Sequence, residues 1–185
     1  KRKQLTKGGD HQYFAFLLDC LGVISTRDLN LLNINEEGNL YLSKNLEYLE
    51  SIWDDHLLNS SPIQYLCETA FWRNLKLKVN DKVLIPRPET ELIVDIIFKI
   101  FGKKSQKLIF AELGTGSGAI SIALALACPM WEGIATDIDQ DALEIAMENF
   151  LNSSKQSNLQ FYCGHWWNPF AVSYTHLTLP TSSWV

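Results

Sequence analysis

The sequence predicts an α/β doubly wound domain, preceded by a small helical one and joined to it by a β-hairpin. Three observations carry this. Apolar residues recur at helical spacing up to residue 68. The period then switches to two in "NLKLKVNDKVLIP", residues 74–86. From Leu108 onward short apolar strands alternate with apolar helices, and the first strand runs straight into a glycine-rich turn.

In order along the chain, Tyr13, Phe14, Phe16, Leu17, Leu18 and Leu21 give one apolar helix face, which Gly22 ends. Leu40, Leu42, Leu46, Leu49, Ile52 and Trp53 give a second, and Pro62 opens a short third helix, "PIQYLCE". Leu75, Leu77 and Val79 alternate with Lys76 and Lys78, as in a strand with one wet face. Asn80-Asp81 supplies a turn, and Val83-Leu84-Ile85 returns as the second strand of the hairpin. Pro86 and Pro88 break the chain, and Glu89 and Glu91 sit where a helix start favours negative charge. Ile93, Ile96, Ile97, Ile100 and Phe101 then form an amphipathic stripe, with Gly102 at its end. A buried strand follows at 108–113, then an apolar helix stopped by Pro129, a strand in "GIATDID", a helix with Ala142, Ile145, Ala146 and Phe150 on one face, and a strand in "LQFYCG". The expected domains are 1–68 (helical), 69–87 (hairpin linker) and 88–170 (α/β), with residues 171–185 set apart as an anomalous tail.

Composition narrows the function classes. The 185 residues are 46% hydrophobic and 20% charged, an ordinary globular balance. No apolar run reaches the roughly 18 residues that span a bilayer, so no membrane partner is expected. A net charge of −5 argues against affinity built on phosphate neutralisation, so no direct nucleic-acid binding is expected. Cys20, Cys67, Cys128 and Cys163 form no Cys-x-x-Cys pair and read as reduced thiols of a cytoplasmic protein. The four histidines have no metal-ligand spacing, and no metal site is expected.

"ELGTGSG", residues 112–118, carries the chemistry. Gly114, Gly116 and Gly118 lie between strand and helix, where glycine permits a tight turn and lets a ligand approach the backbone. Asp137 ends the next strand, at the roughly 20-residue distance from which an acidic residue reaches ribose hydroxyls in nucleotide-binding folds. The third glycine falls one residue too early for the dinucleotide pattern G-x-G-x-x-G. It looks instead like motif I of class I S-adenosylmethionine-dependent methyltransferases, which have a Rossmann-like fold.

"VLIPRPETE", residues 83–91, ahead of that motif resembles the protein-(glutamine-N5) methyltransferases that modify peptide chain release factors. The resemblance is close over roughly residues 60–170. "PIQYL" matches that family's junction, with Glu68 where the family usually has glycine. The resemblance implies S-adenosylmethionine as cofactor and a release factor as protein partner. It implies that Gly114, Thr115, Gly116, Ser117 and Gly118 line the methionine and ribose part of the cofactor. It further implies that Asp137 holds the ribose hydroxyls, that Trp166 lies near the adenine, and that Arg87, Glu89 and Thr90 help to close the pocket. His165 replaces an acidic residue common in the family. Two other readings stand beside it, an adenine-N6 nucleic-acid methyltransferase and a non-catalytic cofactor-binding remnant.

The family's catalytic loop is Asn-Pro-Pro-Tyr, whose acceptors orient the substrate amide nitrogen. Asn168-Pro169-Phe170 has one proline and follows Trp166 without an intervening strand, so no catalytic residue is assigned. The tail after Phe170 does not resemble the family. The expectation is that it is foreign, that on the order of 100 family residues are absent, and that this chain does not catalyse.

Overall fold

The structure is a computed structural model that describes residues 8–21, 44–102, 107–153 and 158–166. It divides into two compact units: Lys1–Ala70 with Val79–Asp81, and Phe71–Lys78 with Lys82–Val185. Among the described residues no helix is long and apolar enough to cross a membrane.

The first unit contains helices α1 (His11–Cys20), α2 (Leu46–Asn59) and α3 (Ile63–Leu66). Asp10 and Asn45 cap the first two, their side chains accepting from Gln12 N (2.7 Å) and Glu47 N (2.9 Å). Phe14, Leu17, Leu49, Ile52 and Ile63 surround the fully buried Trp53, and Phe14 meets its ring edge-on at 5.2 Å. The positions expected of Gly22, Leu40 and Leu42 lie outside the described residues. Cys20 and Cys67 share this core; a hydrogen bond between their side chains holds the Cys67 thiol below its usual pKa. Glu68 has φ +47°. Left-handed backbone there costs a residue with a Cβ about 1 kcal/mol.

The hairpin is one step earlier in the sequence than expected. Strands β1 (Thr69–Trp72) and β2 (Leu75–Lys78) pair around a turn at Arg73 and Asn74. Arg73 takes φ +51°, the conformation a two-residue hairpin turn demands. Val83-Leu84-Ile85 forms no strand. Val83 is buried but Leu84 is 86% exposed, so the segment drops one side chain into the core and otherwise runs over the surface.

The second unit continues with a 3-10 turn (Pro88–Thr90) and helix α4 (Glu91–Phe101). Strand β3 (Ile109–Leu113), helix α5 (Ala119–Ala127), strand β4 (Glu132–Asp137), helix α6 (Gln140–Ser153) and strand β5 (Asn158–Cys163) then alternate. The three strands are parallel in the order β3-β4-β5, as expected of an α/β domain. Right-handed crossovers between adjacent parallel strands put α5 and α6 on one face, where they touch each other. Ile122, Leu124, Trp131, Ala135 and Leu159 form the core beneath them, with Trp72 and Leu77 of the hairpin.

Two burial expectations are corrected. β3 is an edge strand among the described residues, with Ile109 60% exposed rather than buried. On α4 the core-facing side chains are Val94, Ile97 and Phe98. Ile93, Ile96, Ile100 and Phe101 are exposed, because this helix is apolar on more than one face and spacing alone does not choose between them.

Candidate cofactor site

The site stands at the carboxyl ends of three adjacent parallel strands, where ligands bind in open α/β sheets. β3 delivers the glycine loop, β4 delivers Asp137, and β5 delivers the segment from Gly164 to Trp166. Backbone hydrogen bonds lock these three together. Thr136 O accepts from both Gly114 N (2.8 Å) and Thr115 N (2.9 Å), and Asp137 O accepts from Gly164 N (2.9 Å).

The loop's glycines are required by geometry. Gly114 has φ +74° and Gly118 φ +81°, both costly for residues with a Cβ. A Cβ on Gly118 would stand 3.0 Å from Ile122 Cδ1 and 3.2 Å from Ala146 Cβ, whereas one on Gly114 would meet nothing within 4 Å. The space beside Gly114 is where a ligand can approach the chain.

Asp137 is bound to the loop it faces. Its Oδ2 accepts from Gly116 N (2.9 Å) and its Oδ1 from Asp139 N (3.1 Å). An ionised carboxylate offers about four lone-pair positions, so two remain for hydroxyl donors. Asp137, Gly114 and Trp166 line one cavity of about 240 Å³, walled by Leu113, Thr136, Ile138, Gly164 and His165. Trp166 is 64% exposed and stands edge-on to His165, their ring centroids 6.4 Å apart. This combination of flat apolar surfaces with one acceptor-only group fits an adenosine, base on the rings and ribose on the carboxylate.

The structure thus brings Gly114, Asp137 and Trp166 together. Thr115 and Ser117 are buried, and the Thr115 hydroxyl is used inside the protein, donating to Glu112 Oε2 at 2.7 Å. Arg87, Glu89 and Thr90 do not line this cavity. The Arg87 carbonyl instead accepts from Trp72 Nε1 (2.9 Å) and fixes the hairpin to the connection after it. Trp167 and Asn168-Pro169-Phe170 lie outside the described residues, as does the tail 171–185.

Sequence reasoning gave two residues no role of their own. Glu112 ends in an enclosed carboxylate that accepts from Thr115, from Ser121 N (3.0 Å) and from the Ser121 hydroxyl. Burial, opposed by those hydrogen bonds and reinforced by the nearby Asp137 charge, pushes its pKa up to about 7. The folded protein therefore binds this proton more tightly than the unfolded chain. The resulting stability is fully present below pH about 4.5 and is lost as pH rises to about 7, a change on the order of 3 kcal/mol. Glu112→Gln is expected to flatten that fall, which thermal unfolding of both proteins between pH 4 and 8 measures. The second is Asn149, at i+7 from Ala142 in the buried stripe of α6. A polar residue at an apolar position was the signal that could have found it.

No protein-family model matches the chain. It is 39% identical over 170 residues to the release factor glutamine methyltransferase of Prochlorococcus marinus, covering 91% of this chain and 58% of that protein. It is 47% identical over 105 residues to that of Lactococcus lactis subsp. lactis, covering 57% and 37%. Among solved structures, an RNA methyltransferase from Salinibacter ruber in complex with S-adenosyl-L-homocysteine aligns at a TM-score of 0.32 and 25% identity, over 44% of this chain and 50% of that one. The chain spans little more than half the length of the first of these curated relatives. Over the residues matched, its sequence is similar to release factor glutamine methyltransferases.

Proposed function

We propose that this chain carries the cofactor-binding part of an S-adenosylmethionine-dependent methyltransferase whose substrate is a glutamine side chain of a peptide chain release factor. The observation that carries the cofactor is the meeting of Gly114, Asp137 and Trp166 around one cavity at the strand ends. Sequence similarity to the release factor enzymes supports the substrate.

When bound, the cofactor would supply an electrophilic methyl group on a sulfonium. The residues of this chain do the holding. Asp137 would accept from the ribose hydroxyls, Trp166 and Ile138 would cover the base, and Gly114 would leave room for the rest against the backbone. Thr115, Gly116, Ser117 and Gly118 shape that backbone. The acidic Glu112 stands behind the loop and keeps it in place.

Calorimetric titration of the chain with S-adenosylhomocysteine and separately with NAD tests the cofactor. S-adenosylhomocysteine binding without NAD binding is expected, and the reverse sinks the reading. For the partner, surface-immobilised chain is exposed to a purified release factor and to a DNA duplex. Capture of the release factor alone supports the substrate; capture of the duplex alone overturns it in favour of a nucleic-acid enzyme.

A further inference from the structure

Asn149 is buried in the middle of α6 (1% exposed), and its side chain bridges β2 and the glycine loop. Its Oδ1 accepts from Lys78 N at 2.6 Å. Its Nδ2 donates to Lys78 O at 3.0 Å and to Ser117 O at 2.9 Å. Every strong hydrogen-bonding direction of the amide but one is used. All three bonds go to backbone atoms, so no side-chain change at 78 or 117 would remove them.

The loop's own connections give this joint its consequence. Ser117 lies between Gly116, whose N–H holds Asp137, and Gly118, whose N–H holds Thr115 O. The Ser117 carbonyl points into α6, and Asn149 receives it there. At the other end the same amide completes the last residue of β2, where the Lys78 ammonium also pairs with Glu148 at 2.8 Å. The hairpin and the loop thus share one buried polar joint. A carboxylate at 149 would keep the shape but lose both donors, setting an oxygen against two carbonyl oxygens.

We propose that Asn149 is a positioning residue that presets the loop for the cofactor and couples its order to the β2 strand, so that ligand binding is felt at the Lys78 amide. This rests on the proposed cofactor. Asn149→Asp is compared with Leu143→Ala, a buried change on the same helix whose apolar side chain makes no hydrogen bond to the loop. S-adenosylhomocysteine affinity is measured by calorimetry, stability by thermal unfolding, and backbone exchange by deuterium uptake.

In the unaltered chain, ligand is expected to slow exchange at the Lys78 amide. Asn149→Asp is expected to lose affinity by about tenfold or more, the equivalent of one good hydrogen bond, and Leu143→Ala to keep it within about twofold at a similar loss of melting temperature. Equal affinity losses in both variants, or unchanged affinity in Asn149→Asp, would overturn the proposal. If the unaltered chain binds no S-adenosylhomocysteine, the cofactor reading fails instead. The positioning role is then decided without ligand: faster exchange at residues 114–118 in Asn149→Asp but not in Leu143→Ala upholds it, and equal exchange in both refutes it.

Discussion

Asp137→Ala is expected to lower the affinity for S-adenosylhomocysteine by about a hundredfold or more. Two contributions add. The ribose hydroxyls lose hydrogen bonds to a charged acceptor, each worth roughly 1.5–3 kcal/mol. Gly116 N loses the Oδ2 that holds the loop closed. Asp137→Asn separates these, since it keeps one carbonyl acceptor and the side chain's shape but not the charge. It is expected to fall between the unaltered chain and the alanine variant. Calorimetry on the three proteins, with unfolding curves to show that each is folded, gives the ranking. Equal binding by all three would remove Asp137 from the site.

The second large effect divides the two glycines. Gly118→Val is expected to destabilise the fold by roughly 2–5 kcal/mol, from left-handed strain and overpacking together. The reason is spatial: its Cβ would press on Ile122 and on Ala146, including the Ala146 backbone at 3.4 Å. Gly114→Ala has the strain without the crowding and is expected to cost about 1–2 kcal/mol. Its methyl would instead enter the space a ligand needs, so affinity falls while the protein stays folded. Urea unfolding midpoints and binding constants for both variants check this. Comparable stability losses at 114 and 118 would contradict the close packing around Gly118.

The residues that made the site legible are those whose chemistry leaves few alternatives. Glycines spaced between a strand and a helix, followed by an aspartate at the end of the next strand, point to one place in an α/β sheet, and β3, β4 and Asp137 stand there. The helices of the first unit were legible for a similar reason, since Phe14, Leu17, Leu49 and Trp53 recur with a single clear period. Elsewhere the local signal misleads. The turn expected at Asn80-Asp81 is present at Asp81-Lys82, but the hairpin itself turns earlier, at Arg73-Asn74, where Arg73 adopts a positive φ without being glycine. Val83-Leu84-Ile85 has strand composition but forms no strand, because β2 already pairs with β1. On α4, apolar residues point in several directions, and only packing against the helix and strands of the core selects Val94 over Ile93. The polar joint at Asn149 was hidden because a helical stripe read for apolar residues skips the one amide within it.

The function proposed for this chain stands or falls with the cofactor cavity, and the most direct measurement maps it residue by residue. Amide resonances of the isotope-labelled chain are followed by NMR as S-adenosylhomocysteine is added. Shifts are expected to concentrate at residues 114–118, at Asp137 and Ile138, and at residues 164–166, with a smaller response at Lys78. Shifts confined to other surfaces, such as the apolar groove lined by Ile93, Ile97, Phe101 and Phe110, or no shifts at millimolar ligand, would contradict a cofactor site at the strand ends.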